Sequence, residues 1–567
     1  MAPDDPAARY VSNREEKIDK NSSSALNQIQ KWISNCEKAH GHHNSTQCGS
    51  VRDTYLPDRC ISVLPGGVVQ STSEGLSTVP RLVETRGEKG KYLALSYCWG
   101  EEHYNPLRTT ESNYKEHLVG IPSQALALTI RQAIQITQQL GIRYLWVDAL
   151  CIIQDSPSDK DAQIGQMRSI FENSFLTILA ASAANASQGI FTMPHPISSQ
   201  IQIPYLCPDG VIGRIWCLKR EQLGMKDQPI NRRAWTLEER LLSSRKVIYL
   251  SDRLAWECDS ISLADSGEIS NMHDEDLRLS NYIRNPRPIV SPVSGWLEWG
   301  VHTEWVKNVA WYTQRDLTKP GDKLRAIGGI ADKYHAILRD RYLAGLWRSH
   351  ISAGLLWRRS VSRTRDTLFP RPLKYRAPSW SWASIDGEVE YDWPERKDGS
   401  LECARIGHKD SIAKLLEIQV TEAEVELTRP DKPFGAVEYG FIKATGMMSF
   451  VKGNLKPANH EEKGEFLEFH VQRGFYDTKI LHAIDCWPDS DETLPLTDNG
   501  LWLLGLTGAA EDLYSDNRLD GTLFLIRGLL LVPVVEAYFR RIGFFVFKSS
   551  SYEVLMSGFK KRIITLL

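Results

Sequence analysis

In the stretch KYLALSYCWGEE, an apolar strand is followed directly by side chains that could bind or react with a ligand. Residues 92–95 have the composition of a strand that is covered on both faces. The residues after it supply a hydroxyl, a phenol, an indole N–H and a flexible backbone. The candidate ligand-binding residues here are Ser96, Tyr97, Trp99 and Gly100. The pattern fits either a site at the tip of the strand or an unusually polar core.

Asp148 is the strongest single carboxylate candidate for catalysis. It ends the apolar run in RYLWVDALCII, where a charged group requires a partner or a ligand. One interpretation makes Asp148 a catalytic group that lies beside Ser96, Tyr97 and Trp99. The other makes it a structural acid that accepts backbone N–H bonds from the loop that follows. The sequence leaves both interpretations open.

A second group of charged residues surrounds a tryptophan in RRAWTLEERLLSSR. Two adjacent acids beside two arginines suit general acid–base chemistry or the binding of a polar ligand. The alternative is an Arg–Glu network that holds a short helix against a sheet, since successive charges on a helix face different ways. Glu239 is the second candidate catalytic residue, and Arg233, Trp235 and Arg240 are candidate ligand-binding residues.

Thiol and metal chemistry have less support in the sequence. Cys98 and Cys151 have no histidine close by in sequence, so we interpret both as small buried hydrophobes. A cluster near the N-terminus has the residue types of a zinc site but lacks a second short-spaced pair of ligands. Its members are Cys36, His40, His42, His43 and Cys48. We therefore predict no metal site.

Strands and helices alternate between residues 92 and 183 and must position these side chains. In IPSQALALTIRQAIQITQQLG, apolar residues from Leu126 to Leu140 have helical spacing, and Gly141 stands where the helix should end. Ser158 and Asp159 could cap a second helix, and FLTILAAS is a third strand. Short connections between such elements predict an α/β fold in which helices flank a parallel sheet. The strand ends then meet at one edge, where open parallel sheets bind ligands.

The composition excludes several classes of protein. The 567 residues are 42% hydrophobic and 24% charged, with a net charge of −2. These values are typical of a globular protein and give no general attraction to nucleic acid or an anionic membrane. No CxxC pair, signal-like segment or apolar run long enough to cross a bilayer is visible. We expect a soluble, cytoplasmic protein with no nucleic-acid partner and no membrane span.

Four phrases, in this order, resemble the fungal heterokaryon-incompatibility (HET) domain. They are YLALSYCWG, LGIRYLWVDALCIIQD, MRSIFENSFLTILAAS and RRAWTLEERLLSSR. Together with the flanking sequence, the resemblance extends over about residues 32–547. It implies a fungal effector of heterokaryon incompatibility, non-self recognition and programmed cell death that associates with itself or with another fungal protein. It also implies a TIR-like or flavodoxin-like sheet.

The resemblance leaves two other functions open. One is an enzyme of a fungal secondary-metabolite pathway that uses the same fold and a small-molecule ligand, and the other is a non-catalytic interaction scaffold. Some TIR domains cleave NAD through a glutamate on a helix, which makes NAD a possible cofactor. The positions that match the tryptophan and glutamate of many HET sequences are Lys160 and Gln163 here, and Asp161 is only a displaced substitute. NAD hydrolysis is therefore less favoured here than in the family.

Five segments are predicted along the chain. They are a disordered N-terminus (1–25), a helical and linker segment (26–88), the HET domain (89–260), a mainly helical segment (261–376) and a β-rich C-terminal region (377–567).

Overall fold

The fold is that of a computed structural model with two compact units, Met1–Asn285 and Pro286–Leu567. The structure describes residues 5–11, 19–39, 53–64, 69–72, 75–101, 106–191, 199–219, 225–259, 261–265, 295–360, 370–392, 418–456, 465–470, 481–490, 501–515, 518–549, 556 and 558–567. The boundaries of the five segments predicted from the sequence stay predictions.

Unit 1 contains fourteen strands and seven α-helices within its described residues. The strands are β1 (Thr54–Tyr55), β2 (Arg59–Ser62), β3 (Val69–Thr72), β4 (Gly75–Thr78), β5 (Arg81–Glu84), β6 (Lys89–Gly90), β7 (Tyr92–Ser96), β8 (Tyr144–Trp146), β9 (Leu176–Leu179), β10 (Ser199–Leu206), β11 (Ile212–Lys219), β12 (Arg245–Tyr249), β13 (Leu254–Cys258) and β14 (Ser262–Ala264). The helices are α1 (Ser23–Ala39), α2 (Tyr114–Val119), α3 (Leu128–Gln139), α4 (Asp148–Cys151), α5 (Pro157–Ile164), α6 (Met167–Asn173) and α7 (Trp235–Leu242).

The central sheet of unit 1 is mixed. Its order is β14-β13-β12-β9-β7-β8-β2-β5. The four strands β12, β9, β7 and β8 are parallel, and the outer strands on both sides are antiparallel. The prediction of a parallel sheet is therefore correct for the centre and wrong for the edges. The reason is local at β12 and β13, because the short turn between them permits only antiparallel pairing.

The three strands predicted between residues 92 and 183 are adjacent at the centre of this sheet. Every residue of β7, β9 and β12 is buried, as expected for strands covered on both faces. Helix α3 ends before Gly141, whose φ of 72° lies in the left-handed region that favours glycine. Ser158 and Asp159 lie inside the first turn of α5 and do not cap it, because the helix begins one residue earlier, at Pro157.

The predicted disorder of the first 25 residues does not extend to two described parts of that segment. Pro6–Arg9 forms a 3₁₀ helix, and its N-cap, Asp5, accepts a hydrogen bond from the Ala7 N–H at 2.9 Å. The Lys20 ammonium is buried and donates to the backbone carbonyls of Leu250 and Ser251. Asp5 also accepts a hydrogen bond from the Arg214 N–H on β11 at 3.0 Å, so both parts are joined to other elements of unit 1.

Unit 2 begins with helices and continues as a β-rich region, as predicted. Its helices are α8 (Gly295–Thr313), α9 (Gly328–Leu338) and α10 (Ile351–Gly354). Its strands are β15 (Tyr342–Leu343), β16 (Leu346–Trp347), β17 (Trp357–Arg359), β18 (Val389–Tyr391), β19 (Gln419–Leu427), β20 (Val437–Lys456), β21 (Glu465–His470), β22 (Leu481–Pro488), β23 (Leu501–Ser515), β24 (Arg518–Val535), β25 (Tyr538–Ser549) and β26 (Lys560–Leu566). The large sheet has the order β19-β20-β21-β22-β25-β24-β23, and β26 pairs with β20 and β25. Within the described residues, no helix has both the length and the apolar character that crossing a membrane requires.

A buried ion pair lies in the core of unit 2. The Arg541 guanidinium on β25 donates to the Asp489 carboxylate at 3.1 Å, and both side chains have 0% exposure. Arg541 also donates to the Leu355 carbonyl at 2.9 Å and lies 3.3 Å from the centre of the Trp357 ring. Arg371 contacts the same carboxylate at 3.1 Å. One acid therefore balances two arginines that join β25 to the segments around β17.

Asp489→Asn should destabilise unit 2 strongly. The substitution keeps the shape of the side chain but removes the carboxylate that pairs with Arg371 and with the fully buried Arg541, a loss that costs about 3–5 kcal/mol in buried pairs. Chemical denaturation followed by tryptophan fluorescence measures the free energy of unfolding. The control is Asp431→Asn, which removes an exposed partner of Arg429 and should change stability little. Equal effects of the two substitutions would contradict a structural role for the buried pair.

Candidate functional site

The register of two parallel strands brings the candidate residues to one edge of the sheet. Ala94 on β7 is the pairing partner of Trp146 on β8. Two residues further along the chain stand Ser96, the last residue of β7, and Asp148, which follows β8 as the first residue of α4. The C-terminal ends of parallel strands point the same way, so both residues lie at the same sheet edge.

The Asp148 carboxyl is held by neutral donors. The Trp99 indole N–H donates to its Oδ2 at 2.9 Å, and the Ala149 backbone N–H donates to its Oδ1 at 2.7 Å. Burial nevertheless raises the pKa of Asp148, although the nearby Arg233 charge and these donors oppose the shift. The carboxyl is enclosed, but the residue as a whole is only half-buried, and part of it therefore meets solvent. Such a group can take up or release a proton at a higher pH than an ordinary aspartate.

Tyr97 lies beneath this carboxyl and is fully enclosed. Burial raises the pKa of the Tyr97 phenol well above its usual value, and the nearby Asp148 charge adds to the shift. Among the described residues, the phenol oxygen has no hydrogen-bond partner of good geometry. The Tyr97 backbone carbonyl accepts a hydrogen bond from the Arg233 guanidinium. That bond fixes Arg233 close to Asp148.

Ser96 and Glu239 form a buried contact behind the edge. The Ser96 hydroxyl donates to Glu239 Oε2, and both residues are buried. The Glu239 carbonyl accepts from the Ser243 hydroxyl at 2.7 Å, and that hydroxyl also contacts the Thr177 hydroxyl at 2.7 Å. This chain joins α7 to β7 and β9. The geometry favours the structural alternative for Glu239, and its catalytic role stays a prediction.

Arg240 is directed into a separate ion pair. Its guanidinium donates to the Glu257 carboxylate on β13 at 2.7 Å, and both side chains are 3% exposed. Lys246 lies 3.9 Å from the same carboxylate. The structure thus commits Arg240 to holding α7 against β13, and its predicted contact with a ligand has no geometric support.

Five candidate residues remain accessible to a ligand, and we call them the sheet-edge site. Trp99, Asp148, Arg233 and Trp235 are half-buried, and Gly100 is exposed. Gly100 has a φ of 95°, a conformation that only glycine adopts without strain, so the chain can turn sharply after Trp99. The contacts at this edge join a carboxyl, a guanidinium and the Trp99 indole, and Trp235 stands two residues after Arg233 at the start of α7. The sheet-edge site can bind a small polar ligand and exchange a proton with it.

The two cysteines near the site are structural. Burial raises the pKa of Cys98 to about 11 and that of Cys151 to about 12. Neither thiol therefore ionises readily near neutral pH, which agrees with their interpretation as small hydrophobes. Within the described residues, no group of three or more potential metal ligands is present. Cys36 accepts a hydrogen bond from Arg245 at 3.3 Å, whereas the histidines and Cys48 of the predicted cluster lie outside the described residues.

Sequence reasoning missed the supports of Asp148. The Gln154 side-chain amide donates to the Asp148 carbonyl at 2.9 Å, and the Thr109 carbonyl accepts from the Gln154 N–H at 2.7 Å. The Thr109 hydroxyl in turn donates to the Leu150 carbonyl at 2.6 Å. Gln154 lies in CIIQD, a part of one of the four phrases that resemble the HET domain. Nothing in the sequence indicated that Thr109 would be its partner.

The comparison with protein families matches one model. The family described as Heterokaryon incompatibility protein (HET) matches residues 92–239. The chain contains a HET domain. This confirms the resemblance drawn from the four phrases, and the matched residues include the entire sheet-edge site. Searches of curated proteins and of solved structures give no significant match.

Gln163 of the HET domain is bound outside the sheet-edge site. It is buried, and its amide donates to Asp58 Oδ2 at 2.9 Å. Asp58 also accepts two hydrogen bonds from Arg86, at 3.0 and 2.8 Å. The hydrogen bond from Arg86 is the main reason why the pKa of Asp58 is lowered to about 2. The amide thus satisfies an ionised carboxylate, a role that a glutamate could not fill.

Trp99→Phe should raise the pKa of Asp148 further. The substitution keeps an aromatic ring but removes the indole N–H that stabilises the ionised carboxyl. The carboxyl carbon shift of Asp148, followed against pH by NMR in aspartate-labelled protein, measures the change. The matched control is Trp146→Phe, since among the described residues the Trp146 indole N–H has no partner. An unchanged titration in Trp99→Phe would show that the hydrogen bond does not act on the carboxyl.

Gln163→Glu should destabilise the HET domain near neutral pH. Two carboxylates would then share a buried position, and the repulsion raises the pKa of the new glutamate. An acid whose pKa is raised in the folded state lowers the free energy of unfolding at pH values above its pKa in the unfolded chain, which is about 4.3. Below that pH it has no such effect. We expect a loss of about 1–3 kcal/mol near neutral pH, as for other unsatisfied buried polar groups. The loss should shrink as the pH falls towards about 4.

Urea denaturation at both pH values measures this difference. The control, Gln124→Glu, places the same charge at an exposed position. An equal, pH-independent effect of the two substitutions would refute the assignment of Gln163 as the partner of Asp58.

Proposed function

We propose that this chain is a cytoplasmic effector of fungal heterokaryon incompatibility, which causes cell death after non-self recognition. The observation that carries the proposal is the HET family match over residues 92–239, which includes every residue of the sheet-edge site. The effector acts with a second copy of itself or with another fungal protein. Its HET domain responds to a small polar ligand that binds at the sheet-edge site.

The chemistry of the site supports a ligand with both polar and planar parts. Asp148 and Arg233 offer a carboxyl group and a guanidinium cation within one electrostatic environment. The Trp99 and Trp235 indoles are partly exposed and can pack against a planar group. Because the Asp148 carboxyl has a raised pKa, binding of a cationic or proton-donating group would be coupled to its ionisation.

A second candidate function is nucleotide cleavage of the TIR-like kind. Two observations favour it: the four parallel strands have the order 2-1-3-4 of a flavodoxin-like sheet, and an acid with a raised pKa stands at the strand ends. Gln163 is occupied with Asp58 and carries no charge. In this chain the acid would therefore be Asp148 rather than a residue of helix α5.

Asp148→Asn should abolish cell killing by the full chain. Expression of the unaltered chain in a fungal host should reduce viability strongly, whereas the variant lacks the group that exchanges a proton and should leave cells viable. Immunoblotting checks that both proteins accumulate equally. The control is Asp155→Asn, a change at an exposed acid seven residues away, which should still kill. Healthy cells at full expression of the unaltered chain would contradict the effector function.

Nicotinamide release from NAD by the same purified proteins separates the two candidates. Release that is lost in Asp148→Asn but kept in Asp155→Asn supports nucleotide cleavage at the sheet-edge site. Killing without release supports an effector that binds its ligand and does not cleave NAD.

A further inference from the structure

Unit 2 contains a cavity that is separate from the HET domain. Its volume is about 460 Å³, which is within the usual range for small-molecule sites. The segment after α8, the end of β17 and the loop before β18 form its walls. The polar residues that line it include Gln314, Arg315, Lys323, Arg359, Asp386 and Glu388. All of them lie outside residues 92–239.

Lys323 is the most unusual group in this cavity. The side chain is buried, and its ammonium donates to the Ile385 carbonyl at 2.5 Å. The ammonium also lies 5.8 Å from the centre of the Trp382 ring. Among the described residues, it has no ion pair with an acid. A carbonyl and an aromatic face replace only part of the hydration that the charged form loses.

The charges around Lys323 are fixed in place. Arg376 donates to the Ala383 carbonyl at 2.6 Å, the Ile385 carbonyl at 2.7 Å and the Asp386 carboxylate at 2.7 Å. Asp386, the acid whose charge acts on Lys323, is therefore paired with another cation. Burial, followed by the charge of Arg376, lowers the pKa of Lys323 to about 7. Arg359 acts in the same direction, and Asp386 opposes it. A large share of the amine is neutral at physiological pH.

Neutral, enclosed lysine amines are nucleophiles toward carbonyl carbon. Glu388, which lines the same cavity, is half-buried, and its pKa is raised by burial and then by the charge of Glu390. It can hold a proton at a higher pH than an ordinary glutamate and can supply it to a departing hydroxyl group. Arg315 and Arg359 line the cavity together with Asp316. The two guanidinium groups can bind an anionic group on the ligand.

We propose that this cavity binds a small aldehyde or ketone that carries an anionic group and that Lys323 forms an imine with it. In this reaction, the amine nitrogen bonds to the carbonyl carbon to give a carbinolamine. The nitrogen then loses its second proton as the hydroxyl leaves as water. The products are one imine and one water molecule, with no change in oxidation state. The cavity is thus a second small-molecule site in the chain, independent of the HET domain.

Reductive trapping with glyoxylate tests this proposal on the full chain. Glyoxylate is a small aldehyde with a carboxylate, and cyanoborohydride converts its imine into a stable carboxymethyl group. Peptide mapping by mass spectrometry then gives the rate of modification at each lysine. Near neutral pH, Lys323 should react at least about tenfold faster than the exposed Lys319, because far more of its amine is neutral. Its rate should level off above about pH 8, because nearly all of its amine is then neutral.

Two further measurements test the role of the cavity itself. Arg359→Gln should slow trapping by glyoxylate more than trapping by propionaldehyde, which lacks the carboxylate. Both rates should fall to some extent, because the Arg359 charge also lowers the pKa of Lys323. Lys323→Met should leave the modification of Lys319 unchanged, and unaltered thermal melting would show that both variants fold. The proposal is wrong if Lys323 in the unaltered chain reacts no faster than Lys319 or if its rate keeps rising well above about pH 8. That result requires no variant and does not depend on the function of the HET domain.

Discussion

The hydrogen bond from the Ser96 hydroxyl to the Glu239 carboxylate sets the position of helix α7 at the end of β7. Both groups are buried, and an unmatched polar group there would be costly, so neither can separate from the other without a penalty. Ser243 and Thr177 extend the contact to β9. Arg233 and the other groups at the start of α7 reach the sheet edge because this buried contact holds the helix in place.

The accessible and buried parts of the predicted site have different tasks. Residues at the strand tips expose one face to solvent, whereas Glu239 and Arg240 lie on the sides of α7 that meet the sheet. A helix turns by about 100° per residue, so two adjacent charges cannot both face one ligand. In α7 the two charges face two different strands: Glu239 meets β7, and Arg240 meets β13 through Glu257. The chemistry of the site therefore depends on residues before the helix as well as on α7 itself.

The sequence was sufficient for the three central strands of the HET domain, for helix α3 and for the convergence of the strand ends. Period and apolar content identified β7, β8 and β9, and parallel strands necessarily bring Ser96 and Asp148 to one edge. It was not sufficient for partners that are distant in sequence. The pairs Ser96–Glu239 and Gln163–Asp58 join residues 143 and 105 positions apart, and no local pattern specifies such contacts. The antiparallel pairing of β2 was missed for the same reason. This strand precedes the domain in the sequence and joins the sheet beside β8.

Buried charges in the two units illustrate why the partner, rather than burial itself, decides the role of a group. Arg541 is matched by the Asp489 carboxylate, so its charge is retained and its task is structural. The carboxyl of Asp148 and the amine of Lys323 instead meet an indole N–H, a backbone N–H or a carbonyl. Neutral dipoles stabilise a buried charge only in part, and the pKa of each group moves towards its neutral form. Groups held in this way change protonation state when a ligand alters their surroundings, and for that reason they are the sites where chemistry is expected.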